Sequence, residues 1–159
     1  MKDVAVLGVG MQRFGMWPDR SSTDLGREAG LAALRDAGLS FRDVQAAYVG
    51  YIFAPVMSGT RTMKEFGLTG LPVQRVENAS ATGSAAFREA CLAVASGRHD
   101  VVMALGFDKM TQMIQSSSQT THPAWLEDAI LPAAFFALWA TRRMHERGTK
   151  PEHLASIAA

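Results

Sequence analysis

The sequence predicts an α/β fold. Short apolar runs alternate with stretches of helical period along most of the chain. One run, Val101 to Leu105, is apolar at every position, as in a strand buried on both faces. A third sign is the passage Val76-Glu77-Asn78-Ala79-Ser80-Ala81-Thr82-Gly83-Ser84, where an extended run breaks into a turn of small residues and then opens a helix.

Each element follows from local chemistry. Val4 to Val9 reads as a buried first strand, followed by a loop through Trp17-Pro18-Asp19. Ser22 or Thr23 caps a helix whose stripe is Leu25, Ala29, Ala32, Ala33 and Ala37, and Gly38 stops it. Val44 to Ile52 is a second strand. Pro55, Gly59, Gly67 and Gly70 frame a loop or a short amphipathic helix after it. Leu71 to Val76 forms a third strand, and the helix behind the small-residue turn runs from about Thr82 to Ser96, ending at Gly97. The strand Val101 to Leu105 ends at Gly106-Phe107, where ligands sit in sheets of this kind. From Asp108 to His122 Thr, Gln, Ser and Met dominate, and residues 108–131 are expected to form a lid or loop excursion. A helix from about Pro132 to Arg147, with Gly148 as its stop, precedes another that starts at Pro151. The run Leu131 to Ala140 is too short to span a bilayer and is expected to be a buried helix segment.

Composition sets bounds. The 159 residues, 48% of them hydrophobic, suit one compact unit. Sixteen basic and fifteen acidic side chains leave a formal charge of +1, which argues against nucleic acid as the main partner. The lone cysteine cannot form an internal disulfide. No leader is recognisable, because VAVLGVG is short and broken by glycines, so a cytoplasmic location is expected.

A side chain at the small-residue turn meets the positive end of the following helix, where free N–H groups favour an anion. A thiol would ionise readily there. The central residue is Ser80, and an alcohol needs a base to become a nucleophile. Around this turn the chain resembles the thiolase superfamily, in particular the sterol-carrier-protein type of thiolase and its thiolase-like relatives. Those proteins carry an Asn-x-Cys-Ala-Thr-Gly-Ser pattern at this position. The likeness extends to VAVLGVGMQRFG, LGREAGLAALRDAGLSFRDVQAAYVG, LAVASGRHDVVMALGFDKM and ATRRMHERGTKPEHLA. The departure is Ser80 in place of the family's cysteine.

The resemblance implies an N-terminal thiolase-like half over residues 1–159, with a mixed five-stranded sheet and helices on both faces. Family members are more than twice as long, so a piece of a longer polypeptide lacking the C-terminal half is expected. The helix after the turn, with Ala85, Ala86, Ala90, Ala93 and Ala95, would lie between the halves. The implied activity is carbon–carbon bond cleavage or formation on acyl-CoA or sterol-derived CoA thioesters, with coenzyme A as co-substrate and no bound cofactor. Ser80 would hold the nucleophile position, and Asn78, Thr82, Gly83, Ser84 and His122 would contact substrate. The family's acid and base come from the other half, so these residues alone are expected to be inactive. A homodimer formed through Leu71 to Val76 is implied, as is a zinc-ribbon and OB-fold protein partner.

Ser80 admits three roles: a nucleophile served by a base, a hydrogen-bonding group in a thiol-independent retro-aldol lyase, or a replacement that leaves binding without acyl transfer. A non-catalytic acyl-CoA-binding or scaffolding subunit is the alternative of another class. Other motifs carry less. Gly8-x-Gly10-x-x-Arg13 lacks the third glycine of a dinucleotide fingerprint. His99, His122, His145 and His153 lack metal spacing, so no metal site is expected. Cys91 reads as a buried structural cysteine. Met57, Met63, Met110 and Met113 suit either an acyl pocket or ordinary packing.

Overall fold

The computed structural model describes residues 2–109 and 132–158. The chain divides into two compact units, residues 1–113 and 114–159. The expected excursion at 108–131, with His122, Met110 and Met113, lies almost wholly outside the described residues.

The first unit confirms the α/β class. Helix α1 (Ser22–Ala37) is followed by a 3-10 turn at Phe41–Asp43, strand β1 (Ala46–Gly50), helix α2 (Ser58–Lys64), strand β2 (Val73–Val76), a 3-10 turn at Ala79–Ala81, helix α3 (Thr82–Ala95) and strand β3 (Val102–Gly106). The strands form a parallel sheet in the order β2-β1-β3. Three parallel strands therefore stand among the described residues where the family resemblance implied five mixed ones. All five residues of β1 are buried, as a central strand between two helix layers requires.

Strand residues alternate between two faces. Ala47, Val49, Met103 and Leu105 join Leu34 of α1 and Met63 of α2 in one core cluster. Ala46 and Tyr48 pack on Ala86, Ala90 and Ala93 of α3. The small side chains of α3 thus let its backbone approach the sheet. Burying such an alanine methyl stabilises by less than a branched side chain would, since the gain follows the apolar area covered.

Four expectations need correction. Val4–Val9 is not a strand, and Val6, Leu7 and Val9 are exposed. It has apolar β-branched content, but no described strand pairs with it. The buried row of α1 is Ser22, Gly26, Gly30 and Leu34, one position round from the predicted stripe, whose members are half-buried. Aromatic rings explain the shift: a Cβ on Gly26 would lie 2.6 Å from Phe107, and one on Gly30 would lie 2.5 Å from Phe66. β3 buries Met103 and Leu105 but leaves Ala104 exposed, so it is not covered on both faces. The cap of α1 is Ser21 and not Ser22 or Thr23; its hydroxyl accepts from Asp24 N–H while Asp24 accepts from Ser21 N–H. Gly38 closes the helix at φ 66° as expected.

The second unit holds helices α4 (Pro132–Arg147) and α5 (Pro151–Ala158), matching the predicted bounds, with Gly148 at φ 64°. The predicted burial of Leu131 to Ala140 is not seen where side chains are described. Phe136, Leu138 and Trp139 are about 60% exposed, although Phe135, Phe136 and Trp139 contact one another. No helix among the described residues is long and apolar enough to cross a membrane.

Candidate functional site

The turn between β2 and α3 is built by a small set of bonds. β2 ends at Val76, and Asn78 adopts φ −155°, ψ 53°. Ala79 then takes φ 43°, a left-handed conformation that costs an alanine about 1–3 kcal/mol. Three hydrogen bonds hold it there. Ala79 N–H donates to Glu77 Oε1 at 2.6 Å, Asn78 N–H donates to Thr82 Oγ1 at 2.8 Å, and Thr82 Oγ1 donates to Ala79 C=O at 2.7 Å. Thr82 is buried, so its hydroxyl serves as a fixed clasp across the turn.

Ser80 is the middle residue of the following 3-10 turn and is exposed. None of the described hydrogen bonds uses its hydroxyl. Helix α3 has no side-chain cap and no acidic residue in its first turn; Ala81 N–H donates to Asn78 C=O and Thr82 N–H to Ala79 C=O, so the 3-10 turn meets part of the helix end and no side chain does. Glu77 is the nearest acidic residue in sequence, and its carboxylate is engaged by Ala79 N–H.

The turn sits where the parallel strands end. A Cβ on Gly50, the last residue of β1, would lie 2.8 Å from Thr82 Cγ2. One on Gly106, the last residue of β3, would lie 3.7 Å from Gly83 Cα. Glycine at the end of β1 lets the start of α3 settle against it, whereas a Cβ at the end of β3 would make only ordinary contact. Gly83 itself faces open space. Asn78 and Ser84, both exposed, line an open hollow of about 690 Å³ together with Gln74, Arg75, Glu77 and Arg88. The structure thus brings Asn78, Ser80, Thr82, Gly83 and Ser84 together at one helix end, with Thr82 turned to structural work. His122 lies outside the described residues.

Sequence reasoning missed Asp108. Its carboxylate accepts three successive backbone N–H bonds, from Ile52 at 2.7 Å, Phe53 at 2.9 Å and Ala54 at 3.0 Å. It ties the loop leaving β1 to the end of β3, beside the turn. Arg75 fixes the same loop through a bond to Tyr51 C=O at 3.2 Å, with its guanidinium 4.4 Å from the Tyr51 ring centre. Tyr51 stacks on Phe107. The available signal was an acidic residue two positions past the glycine that ends a strand.

The remaining candidates resolve simply. Cys91 is half-buried, not fully buried. Met63 is a core residue, while Met57 is exposed and adopts φ 67° ahead of α2. His99 is half-buried and His145 exposed, and His153 Nδ1 accepts from Lys150 N–H at the start of α5. Gly8 and Gly10 lie directly against the backbone of α1, which explains them without a nucleotide. Among the described residues no group of three His, Cys, Asp or Glu side chains is placed to hold a metal.

Comparison with known proteins identifies the family of the chain. The family model described as "Thiolase, N-terminal domain" matches residues 4–156. An acetyl-CoA acetyltransferase of Methanothermobacter thermautotrophicus is 37% identical over 99% of this chain and 44% of its own. Sterol carrier protein 2 of Gallus gallus is 36% identical over 98% of this chain and 31% of its own. The chain therefore spans less than half the length of these relatives. Among solved structures, one titled "Ltp2-ChsH2(DUF35) aldolase" superposes with a TM-score of 0.63 at 28% identity, over 92% of this chain and 39% of that one.

Proposed function

This chain belongs to the thiolase family, as its N-terminal domain, and on that premise we propose that it forms the nucleophile-turn half of a cytoplasmic protein acting on acyl-CoA or sterol-derived CoA thioesters. The reaction class is cleavage or formation of a carbon–carbon bond. The observation that carries the reading is the strained Ala79 beside exposed Ser80 at the uncapped start of α3. Stored strain at such a position is maintained for function, because a plain loop would relax it.

The chemistry open to Ser80 is narrower than for a thiol. Thiolysis of a 3-oxoacyl-CoA needs an anionic nucleophile at the ketone carbon, and a helix terminus alone does not deprotonate an alcohol. Retro-aldol cleavage has no such need. A base removes the proton of the 3-hydroxyl, the bond between the second and third carbons breaks, and the departing enolate takes up a proton; no acyl-enzyme forms. The N–H groups at the start of α3 are suited to hold the thioester oxygen as charge builds on it. The likeness to the Ltp2-ChsH2(DUF35) aldolase favours this second reading. A zinc-ribbon and OB-fold partner, and a homodimer through β2, belong to the proposal.

The test uses the whole polypeptide that contains this chain, with Ser80 and with Ser80→Cys. Thiolysis of a 3-oxoacyl-CoA by the cysteine variant alone would identify a thiolase scaffold lacking its thiol. Cleavage of a 3-hydroxyacyl-CoA by the serine form, slowed but not abolished by Ser80→Ala, would identify the lyase. Binding of acyl-CoA with neither reaction would overturn the enzymatic reading in favour of a scaffold.

A further inference from the structure

Two adjacent charges hold the end of the sheet where the Ser80 turn sits. Asp108 and Lys109 come just after β3, and none of the described ion pairs uses either of them. Both act on the main chain, in opposite senses. The Asp108 carboxylate accepts three consecutive N–H groups, Oδ2 that of Ile52 and Oδ1 those of Phe53 and Ala54. The Lys109 ammonium donates to Pro18 C=O at 3.1 Å and to Arg20 C=O at 2.7 Å.

The loop that Asp108 grips lies one step from the turn. It leaves β1 directly after Gly50, the residue so close to Thr82 that a Cβ there would lie 2.8 Å from Cγ2. Phe107 N–H donates to Gly50 C=O at 3.1 Å, so the residue before Asp108 holds the residue before the loop. Tyr51 is fixed in turn by Phe107 and by Arg75, whose side chain borders the same hollow as Asn78 and Ser84. Ile52 and Phe53 are half-buried and Ala54 is buried, and among the described bonds their amides have this one carboxylate as acceptor. Amides so placed are costly to leave unpaired.

We infer that Asp108 is a positioning residue for the reaction at the Ser80 turn. Its carboxylate fixes the loop after β1, and through Gly50 and Thr82 that loop fixes the angle at which the turn presents residue 80. Lys109 anchors the chain on the other side of Asp108 and so keeps the carboxylate aimed. The inference rests on the reading of the turn as an acyl-CoA site. The role is specific to a carboxylate, which accepts at both oxygens and donates at neither. Asparagine has nearly the same shape, but it would turn an NH2 group toward Ile52 N–H or toward the amides of Phe53 and Ala54.

The test uses the whole polypeptide that contains this chain, carrying Ser80→Cys so that the thiol reports on the turn. Asp108→Asn, Asp108→Glu and Lys109→Gln are compared with Asp43→Ala, which removes a carboxylate bonded to Ser40 N–H away from the site. Amide exchange at residues 52–54 is expected to rise about tenfold or more in Asp108→Asn. In the same variant the thiol at position 80, read from its iodoacetamide alkylation against pH, is expected to titrate about half a unit or more higher. The sign is diagnostic: loss of a nearby negative charge by itself lowers a thiol's value, so a rise reports lost alignment with the helix start. Asp108→Glu and Lys109→Gln are expected to give smaller rises, and Asp43→Ala none. With Ser80 in place, whichever CoA-thioester cleavage the protein performs is expected to lose kcat by about tenfold in Asp108→Asn while KM changes by less than about threefold.

A thiol that titrates unchanged or lower in Asp108→Asn, unaltered exchange at residues 52–54, or an equal rise in Asp43→Ala would overturn the inference. If Asp108→Asn does not fold, Asp108→Glu decides, and an unshifted thiol in that variant overturns it equally. A parent protein that turns over no CoA thioester would refute the acyl-CoA reading instead, because exchange and alkylation need no substrate and judge the hold of Asp108 on the turn separately.

Discussion

The two long helices of the first unit begin in opposite ways. α1 starts as stability dictates: Ser21 and Asp24 form a reciprocal capping box, and an acidic side chain sits in the first turn. α3 starts with no side-chain cap and no acid in its first turn, behind an alanine held at φ 43°. The positive helix end is met by an acidic capping box in one case and only by the carbonyls of a 3-10 turn in the other. A helix start without a side-chain cap or an acid, at the end of parallel strands, leaves the positive end of the helix less neutralised than that of α1.

The largest effect is expected where the open start is held in shape. Thr82→Val keeps the volume but removes the hydroxyl that accepts from Asn78 and donates to Ala79. With two polar groups stranded at a buried residue, the expected loss is about 2–3 kcal/mol, measured by urea denaturation of the chain. A loss below about 0.5 kcal/mol would mean that the turn keeps its form without the clasp.

A pair of thiols sharpens the comparison further. With Cys91→Ser as background, Ser80→Cys and Ser21→Cys place the same group at two helix starts. The thiol at position 80 is expected to titrate about one unit below the one at position 21, about 1.4 kcal/mol, because Asp24 faces the latter. The rate of iodoacetamide alkylation against pH reads both. Glu77 opposes an anion at the turn, so Glu77→Gln should lower the thiol at position 80 further. Equal titration at the two positions would remove the electrostatic part of the argument.

How much of this was legible in the sequence depended on which groups carried the information. The turn was legible because its sign is a run of small residues between two periodic segments, and the helix stops at Gly38, Gly97 and Gly148 were legible because each requires positive φ. The buried row of α1 was not, since Gly26 and Gly30 count as neither apolar nor polar until Phe107 and Phe66 are seen against them. Val4–Val9 was read as a strand from its composition alone. A strand also needs a partner, and the described residues offer it none. Asp108 escaped because one carboxylate bonding three backbone amides leaves no pattern in side-chain spacing.

The capped start gives a smaller effect, and its sign with pH can be worked out. The hydrogen bond from the Ser21 hydroxyl, then that from Ser21 N–H, holds the Asp24 carboxyl below the ordinary carboxylate range. A depressed value means the stabilisation is complete above that range and is lost as pH falls through it toward the folded-state value. Asp24→Ala is expected to cost about 1 kcal/mol at neutral pH and to cost less as the pH drops below 4. A penalty that stayed constant down to pH 2, in thermal denaturation, would assign the effect to helix propensity and not to the box.

The smallest effect runs the other way. Ala79→Gly removes the Cβ that makes φ 43° costly and leaves all three bonds of the turn in place, since they use main-chain atoms of residues 78 and 79. Glycine loses more freedom on folding, about 0.5–1 kcal/mol, against relief of about 1–2 kcal/mol of left-handed strain. The net is a gain of a few tenths to about 1 kcal/mol, readable as a rise in Tm. A stabilising substitution directly beside Ser80 is informative because it separates two accounts of the strain. If the whole polypeptide carrying Ala79→Gly is more stable and equally active, the alanine conformation is incidental. If it gains stability and loses turnover or acyl-CoA affinity, the strained backbone is what aims Ser80 and the open end of α3 at the substrate.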